Sequence, residues 1–345
     1  MKFPSLSSHL PSLSAIGLSM SSNMSASSSI VDALIVGGGP AGLSAALAFA
    51  RQNQTAVVFD NGQYRNAAAD YMHLIPGWDH KPPSDFRAAA RSQMTDSYDV
   101  IRILEDTNVA TAQKTEQGIF QLSDEAGRTW SGKKLILATG VEDVMLDIPG
   151  YAELWGKAIF HCLYCKGYEQ RGASAGVLAV GPLGNVNTAL HIARQETALS
   201  KQVTLYCNGN ETLAAEIVAS FGTATNMKTD TRKVKELAAG SGGQGIVIRF
   251  DDGSEAVEDY LAHQPPTRPR GNLADQLGLE KAPNGEVKVS SPFQQASLRG
   301  VFAAGDNGAM LKNVPNAVFS GHVAGQMAST QLLADLNGQK SLFPL

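Results

Sequence analysis

Two parts of the chain share one pattern of apolar and polar positions. Each has a short apolar run, a turn containing glycine, a helix-length segment rich in alanine and a second apolar run, over residues 31–62 and 175–208. The helical segment "ALAFARQ" (46–52) of the first part returns in the second as "ALHIARQ" (189–195). Short apolar runs between turns are typical of buried parallel strands. We therefore predict an α/β protein with two βαβ units, the second inserted into the first.

The turn of the first unit has the spacing of a dinucleotide-binding loop. It follows an apolar strand and opens a helix, and an acidic residue stands about 20 residues further on, which is the context that this motif requires. Glycines permit a tight turn and close approach of a pyrophosphate, and the helix N-terminus offers free N–H groups to the phosphates. A tight turn without a ligand is the alternative. The cofactor-binding residues predicted here are Gly37, Gly39, Pro40, Ala41, Gly42 and Asp60.

The turn of the second unit lacks these glycines. At the same offset, the three glycines of the first turn correspond to Val180, Pro182 and Asn185, and the strand end that carries the acid in the first unit corresponds to Asn208. The following "GNETLAAE" has no Arg or Lys to meet a 2′-phosphate. We predict the fold of an NAD(P)H domain without its binding chemistry. A shifted loop that uses Gly181 and Gly184 and still binds NAD(P)H is the alternative.

The chain has three cysteines, two of them at C-x-x-C spacing in "HCLYCKGYEQ" (161–170). A metal at Cys162 and Cys165 would need two further ligands, and no second pair of suitable spacing exists, so we predict no metal. A redox disulfide is favoured over an inert pair. Cys207 lies in the predicted last strand of the second unit (203–208), where a buried structural thiol is expected.

Charge and composition limit the remaining possibilities. The net charge is −4, and the densest basic cluster is only "TRKVK" (231–235), so neither nucleic acid nor an acidic lipid surface is an expected partner. The uncharged run from Ala33 to Ala50 is broken by glycines and a proline, so we predict no membrane span. Residues 1–30 are rich in Ser and predict a disordered leader, with targeting as the alternative. So few cysteines favour a reducing compartment, and we expect a cytoplasmic protein.

Two later segments, "KKLILATG" (133–140) and "LRGVFAAGDNG" (298–308), read as strands that end in small residues. With the glycine loop and in this order, they resemble the other FAD-contact segments of the flavoprotein disulfide reductases. The resemblance implies that Asp306 faces the ribityl chain and the pyrophosphate, and that a helix after it points its N-terminus at the flavin. The further cofactor-binding residues that it implies are Ala138, Thr139, Gly140, Gly305, Asp306, Asn316 and Ala317.

The whole layout resembles the low-molecular-weight thioredoxin reductases. Residues 56–91 and "HCLYCKGYEQRG" (161–172) are most similar to the gliotoxin-oxidase branch, which consists of dithiol oxidases of fungal sulfur metabolites. The resemblance implies a FAD-binding domain in two parts, 31–150 and 263–345, around an inserted domain at 151–262. It also implies a homodimer, and cofactor contacts from Arg65, Asn66 and His73 in the 56–91 segment.

The resemblance also assigns roles to the cysteines. Cys165 would lie near flavin C4a, and Cys162 would form the mixed disulfide with substrate. Thioredoxin reductases usually have an acid directly after the second cysteine, but here Lys166 stands there, which favours a thiolate without supplying a proton donor. His161, beside the pair, and His322, in the helix that would face the flavin, are the candidates for the acid/base role.

We therefore predict a FAD-dependent oxidase of a small-molecule dithiol, with O₂ as acceptor and H₂O₂ as product. An NADPH-dependent thioredoxin-type reductase is one alternative, and it needs a working second nucleotide site. A flavin-bound redox sensor without turnover is another.

Overall fold

The computed structural model describes residues 29–342, so the predicted leader lies outside the described residues except for Ser29 and Ile30. The strands are β1 (Val31–Val36), β2 (Ala56–Phe59), β3 (Ile101–Leu104), β4 (Val109–Lys114), β5 (Phe120–Asp124), β6 (Thr129–Leu137), β7 (Val141–Asp143), β8 (Ile159–Phe160), β9 (Ser174–Leu178), β10 (Gln202–Tyr206), β11 (Met227–Asp230), β12 (Val234–Ala239), β13 (Ile246–Phe250), β14 (Glu255–Glu258), β15 (Tyr260–Ala262), β16 (Thr267–Pro269) and β17 (Val301–Ala303). The helices are α1 (Pro40–Arg51), α2 (Pro83–Ser97), α3 (Tyr151–Leu154), α4 (Leu163–Lys166), α5 (Val186–Glu196), α6 (Glu211–Ala219), α7 (Leu273–Gln276) and α8 (Val314–Leu336).

The first sheet has the order β3-β2-β1-β6-β5-β4, with β17 also paired to β6. Strands β3, β2, β1, β6 and β17 run parallel, and β4 and β5 extend the sheet as antiparallel strands. Helices α1 and α8 cover one face with small residues. A side chain at Gly321 or Gly325 would collide with the α1 backbone, so these glycines let the two helices approach closely. The carboxyl ends of β1, β6 and β17 thus meet at one edge, where ligands of α/β sheets bind.

The second sheet has the order β11-β10-β9-β15-β8, and all of its strands are parallel. Helices α5 and α6 pack on it through Ile192, Leu213 and Ile217, which are buried. A separate antiparallel sheet, β12-β13-β14, is inserted before β15. All these strands lie within 151–262, the range that we propose for the inserted domain. The predicted α/β fold with a second unit inserted into the first is confirmed.

The two chain segments that connect the units run side by side. Strand β7 on the way out pairs antiparallel with β16 on the way back. No helix among residues 29–342 is both long enough and apolar enough to cross a membrane.

Candidate active site

One cavity of about 730 Å³ joins the glycine loop to the cysteine pair. Its walls come from the loop after β1, the ends of β2 and β6, the segment 63–74, the residues around the cysteines and the start of α8. A single space therefore connects the predicted cofactor loop with the predicted redox centre.

The three motif glycines of the first turn are required for three different reasons. Gly37 has φ +118°, and a side chain there would collide with the Ala138 carbonyl. A side chain at Gly42 would collide with the Gly37 carbonyl oxygen, so Gly42 allows the helix to pack on the turn. Gly39 lines the cavity, and a Cβ there would meet no protein atom within 4 Å. Only the requirement at Gly39 points to a ligand, because the space that a side chain would fill lies in the cavity.

The N-terminus of α1 is open to the same cavity. Its N-cap residue, Gly39, has no side chain to cap the helix, and Pro40 and Ala41 also line the cavity. The first N–H groups of a helix need partners, and a helix N-terminus favours negative charge. The turn therefore fits a pyrophosphate.

Asp60 ends β2 with its carboxylate fixed in place. The residue is 3% exposed, and Oδ1 accepts a hydrogen bond from the Gly62 backbone N–H at 3.0 Å. Oδ2 accepts from the Tyr64 hydroxyl at 2.6 Å and from Arg91. Asp60 lines the cavity at the position expected for a ribose contact.

Arg65 lies between two carboxylates at the centre of the cavity wall. It forms a bidentate pair with Asp143 (Nε–Oδ2 3.0 Å, Nη2–Oδ1 2.6 Å) and donates from Nη1 to Asp306 Oδ2 at 3.0 Å. Burial raises the pKa of Asp306, and the neighbouring guanidinium opposes that rise. The structure thus places Arg65 and Asp306 together, and it adds Asp143, which the sequence did not indicate.

The strand ends and the start of α8 complete the wall. Ala138, Thr139 and Gly140 follow β6, and all three line the cavity, as does Gly305 after β17. These residues come from two segments far apart in sequence, which parallel pairing of β6 with β17 brings together.

The start of helix α8 also contributes to the cavity wall. Asn313 caps it, with a side chain that accepts from the Asn316 backbone N–H at 2.9 Å. Asn313, Val314 and Ala317 line the cavity. The Asn316 side chain donates instead to the Leu311 carbonyl at 2.7 Å and lies outside the cavity lining. Ala317 and Asn313 thus line the cavity and the Asn316 side chain does not, and the cofactor contacts of Asn316 and Ala317 stay predictions.

Cys162 and Cys165 form a disulfide, and both line the cavity. Cys162 is the N-cap of the short helix α4, and its carbonyl accepts from the Cys165 backbone N–H at 3.1 Å. The Lys166 ammonium donates to the Gly156 carbonyl at 2.8 Å. The helical turn holds both sulfur atoms at the cavity, where a substrate thiol can reach them.

His161 and His322 lie in different environments. His161 lines the cavity, and its ring stacks on Trp155 with centroids 5.9 Å apart. Burial and, to a lesser extent, the charge of Arg65 lower the pKa of His161 to about 4, so the imidazole is neutral at neutral pH. His322 is exposed on α8 and is not among the cavity-lining residues. A role for His322 at this cavity would require a second copy of the chain.

Asn66 and His73 also line the cavity, but their polar atoms face protein groups. Asn66 Oδ1 accepts from Arg87 at 3.1 Å. The His73 ring nitrogens face two carboxylates, those of Asp79 and Glu169. The glycine-loop motif includes neither residue, and the contacts of Asn66 and His73 with the cofactor stay predictions.

The second turn is closed by the chain itself. It forms a 3-10 turn at Gly181–Leu183, and Asn185 caps α5 by accepting from the Thr188 backbone N–H at 3.1 Å. The Thr188 hydroxyl also donates to the Pro182 carbonyl at 2.9 Å. The helix N-terminus that would face a second pyrophosphate thus already has a side-chain partner, in contrast to α1.

At the end of the second unit where a ribose would bind, Asn208 is engaged in the fold and the Lys233 side chain starts nearby. Asn208 Oδ1 accepts from the Val234 backbone N–H at 2.8 Å, so this side chain anchors β12. The Lys233 side chain starts beside Gly209, with its Cβ 3.9 Å from the position that a Cβ on Gly209 would take, which the local sequence does not show. Its ammonium is 3.6 Å from Asp251.

Cys207 is 1% exposed and follows β10 directly. Burial raises the pKa of its thiol to about 11, so the thiolate is scarce at neutral pH. This agrees with the predicted structural role.

Comparison with known proteins agrees with this geometry. The family model described as pyridine nucleotide-disulphide oxidoreductase matches residues 31–321. Thioredoxin reductase tcpT of Claviceps purpurea is 79% identical over 318 residues, which cover 92% of this chain and 99% of that protein. Thioredoxin reductase aclD of Aspergillus oryzae is 42% identical over 308 residues (89% and 98%). The crystal structure of an oxidoreductase from Agrobacterium tumefaciens has a TM-score of 0.80 at 33% identity and covers 88% of this chain and 99% of that one. The expected likeness to thioredoxin reductases is confirmed.

Proposed function

We propose that this chain, which belongs to the pyridine nucleotide-disulphide oxidoreductase family, is a dithiol oxidase. It is a flavoprotein oxidoreductase that acts on sulfur groups and binds FAD. The proposed substrate is a small-molecule dithiol of fungal sulfur metabolism, which leaves as a cyclic disulfide, and the proposed acceptor is O₂. One contrast carries the proposal. The cysteine pair shares its cavity with an uncapped dinucleotide turn, whereas Asn185 caps the turn that would bind the nicotinamide nucleotide.

The residues fit the cofactor. The pyrophosphate would lie on the turn at Gly39 and the N-terminus of α1, the ribose at Asp60, and the ribityl chain near Asp306. The isoalloxazine would lie between the end of β6, the cysteine pair and the start of α8. When bound there, FAD supplies a two-electron acceptor for the reduced cysteine pair and a donor to O₂.

The cysteines carry out the thiol chemistry. A substrate thiolate attacks the disulfide at Cys162, which forms the substrate–Cys162 bond and releases Cys165 as a thiolate. The second substrate thiol, after losing its proton, attacks the substrate sulfur of the mixed disulfide. The product disulfide closes, and Cys162 leaves as a thiolate. The substrate has lost two electrons and two protons, and the cysteine pair has gained the two electrons.

His161 is the proposed acid/base residue for the substrate thiols. Its neutral ring lines the same cavity as Cys162, so it is placed to relay a substrate proton, and its low pKa means that it does not keep that proton. Trp155 stacks on one face of the ring and limits its orientation. Lys166 is bound to the Gly156 carbonyl and has no proton-donor role in this proposal.

The overall reaction predicts one H₂O₂ for each substrate disulfide, without NADPH. The test is to incubate the FAD-loaded protein with a small dithiol in air and to measure oxygen uptake, H₂O₂ and disulfide together. Equal yields support the proposal. Disulfide formation only when NADP⁺ is supplied would contradict it.

One observation favours a second candidate, an NADPH-dependent disulfide reductase. The Lys233 Cβ lies beside Gly209, at the end of the second unit where the ribose and 2′-phosphate of NADPH would lie if NADPH bound at the second turn. An NADPH-dependent reductase would also require Asn185 to release the Thr188 N–H, so that the N-terminus of α5 could bind the pyrophosphate. Lys233→Ala separates the two, because it would weaken NADPH use by a reductase and leave dithiol oxidation by an oxidase unchanged.

We also propose a homodimer. Helix α8 exposes Phe319 (60%), Leu333 (42%) and Leu336 (57%). Large apolar side chains on one exposed helix are typical of a surface that another chain covers. Sedimentation that shows only monomer at micromolar concentration would contradict this proposal.

A further inference from the structure

Four titratable side chains meet at one side of the cavity, where His73 and Glu169 line it. His73, Asp79 and His80 come from one loop of the FAD-binding part, and Glu169 comes from the 3-10 turn at Tyr168–Gln170 of the inserted unit. The two imidazole rings are 4.6 Å apart and nearly perpendicular. Two histidines thus lie between a carboxylate of their own loop and a carboxylate of the inserted unit.

Both imidazole rings direct their nitrogen atoms at the two carboxylates. His73 presents Nε2 to Glu169 Oε1 at 3.6 Å and Nδ1 to Asp79 Oδ1 at 3.3 Å. His80 presents Nδ1 to Glu169 Oε1 at 4.0 Å and Nε2 to Asp79 Oδ2 at 3.4 Å. Each ring therefore directs one nitrogen to Glu169 and the other to Asp79.

This arrangement matches a zinc site, in which one group of residues binds the metal and a second group holds those ligands in place. In such sites a histidine binds the metal through one nitrogen and donates its other N–H to a carboxylate, which fixes the tautomer and the ring. We propose that this cluster binds Zn²⁺ or a similar divalent transition metal. The ligands are His73 Nε2, His80 Nδ1 and Glu169 Oε1, and Asp79 accepts from the other nitrogen of both rings.

The distances allow the site with small side-chain movements. The candidate ligand atoms of His73, His80 and Glu169 lie within 4.8 Å of one another. Zinc binds nitrogen and carboxylate oxygen at about 2.0–2.2 Å in tetrahedral geometry, so the three atoms need only to draw together. Two imidazoles and one carboxylate leave a fourth position for water.

The loop holds the two histidines side by side. The Met72 backbone N–H donates to the Lys81 carbonyl at 2.8 Å, and the His80 N–H donates to the Met72 carbonyl at 3.1 Å. The Leu74 N–H donates to Asp79 Oδ1 at 3.1 Å. These bonds close the loop and place both rings on the side that faces Glu169.

The site would couple two parts of the cavity wall. Glu169 follows α4, which carries Cys165, and both His73 and Glu169 line the cavity. A bound metal would fix the 72–81 loop to the segment after the cysteines. The H-x₆-H spacing of the two histidines is no familiar zinc signature, which explains why the sequence predicted no metal.

Zinc titration of the tag-free, FAD-loaded protein tests the proposal. The disulfide must be kept oxidised, because free Cys162 and Cys165 thiolates would bind zinc themselves. Calorimetry should give one zinc ion per chain. X-ray absorption at the zinc edge should show only nitrogen and oxygen neighbours at about 2.0–2.2 Å, without sulfur at about 2.3 Å.

Three variants and one control identify the residues. His80 has φ +58°, which Asn tolerates well, so His80→Asn removes the ligand and keeps the loop. His80→Asn and Glu169→Gln should each weaken zinc binding at least about tenfold, and Asp79→Asn should weaken it by about 10–100-fold. His191→Asn, at an exposed position on α5, should leave it unchanged. No stoichiometric zinc binding, sulfur in the first shell, or equal affinity in all variants would overturn the proposal.

Discussion

The Tyr151 hydroxyl donates a hydrogen bond of 2.6 Å to Nδ1 of His263. This bond joins the two chain segments that connect the units. Tyr151 lies where the chain enters the inserted unit, and His263 lies directly after β15, where the chain leaves it. His263 Nε2 faces the Val180 carbonyl at 3.3 Å, so it carries the proton and Nδ1 accepts. Both side chains are fully buried. This pair therefore ties the entry and the exit of the inserted unit together.

Tyr151→Phe should destabilise the protein by about 1–3 kcal/mol, because it leaves the buried His263 Nδ1 without a donor. Urea unfolding of the FAD-free protein measures the change. Tyr164→Phe is the matched control, since Tyr164 is 72% exposed and should lose almost nothing. Equal midpoints for the two variants would show that the Tyr151–His263 bond does not stabilise the fold.

Glu196 should make stability depend on pH. It is fully buried beside Tyr260 and Ser200, and burial raises its pKa from 4.5 to about 7. Between these two values the folded state holds a proton that the unfolded state has lost, so this group stabilises the fold below pH 4.5 and loses that contribution as the pH rises to 7. At about 1.4 kcal/mol per pH unit, the loss is about 3 kcal/mol.

Glu196→Gln removes this dependence and keeps an acceptor for the Tyr260 hydroxyl. The variant should gain stability relative to the wild type as the pH rises from 4.5 to 7, by about 3 kcal/mol in total. Urea denaturation at a series of pH values measures the difference. A difference that stays constant with pH would mean that Glu196 is ionised throughout the range.

The glycines of the first turn should separate binding from folding. Gly39→Val places a side chain in the cavity only, so the protein should fold with normal stability in its FAD-free form but bind almost no flavin. Gly42→Ala should lower stability itself, because its Cβ collides with the Gly37 carbonyl. Flavin absorbance and urea midpoints measure the two effects. Full flavin occupancy in Gly39→Val would refute the proposed cofactor position.

The two cysteines should behave differently when replaced. Cys165→Ser should block reduction of the flavin by dithiols and leave FAD bound. Cys162→Ser should leave Cys165 as a thiolate beside the oxidised flavin, with a long-wavelength charge-transfer absorption band. Both variants should lose dithiol oxidation, since neither can close the disulfide. A charge-transfer band in Cys165→Ser instead would reverse the two roles.

The parts of the fold that depend on local sequence were predictable. The run "AVVF" is β2 in full, "ALHIARQ" lies in α5, and "ALAFARQ" ends α1 with Gln52 as its C-cap. Short apolar strands, turn glycines and a helix start give signals within a few residues. The same holds for the Asn185 cap, since Asn before a helix is a recognised N-cap. By that rule Asn313 could also have been found, because it precedes a helix with Pro in its first turn.

The parts that depend on tertiary contacts were not predictable. The pairing of Arg65 with Asp143 spans 78 residues, and no motif marks either side chain. Lys233 reaches Gly209 only because β12 returns beside the end of β10. Glu169 meets His73 and His80 only because the inserted unit packs against the loop of the first. Such contacts connect positions far apart in sequence, and local patterns carry no information about them.

Stopped-flow reduction of the flavin under anaerobic conditions tests the central claim most directly. Two portions of the same FAD-loaded protein are mixed with NADPH and with a small-molecule dithiol, and the loss of flavin absorbance is followed in each. We expect rapid reduction by the dithiol and far slower reduction by NADPH, because Asn185 already caps the helix that would bind the second pyrophosphate. Rapid reduction by NADPH with none by the dithiol would contradict the oxidase and return the protein to the reductases.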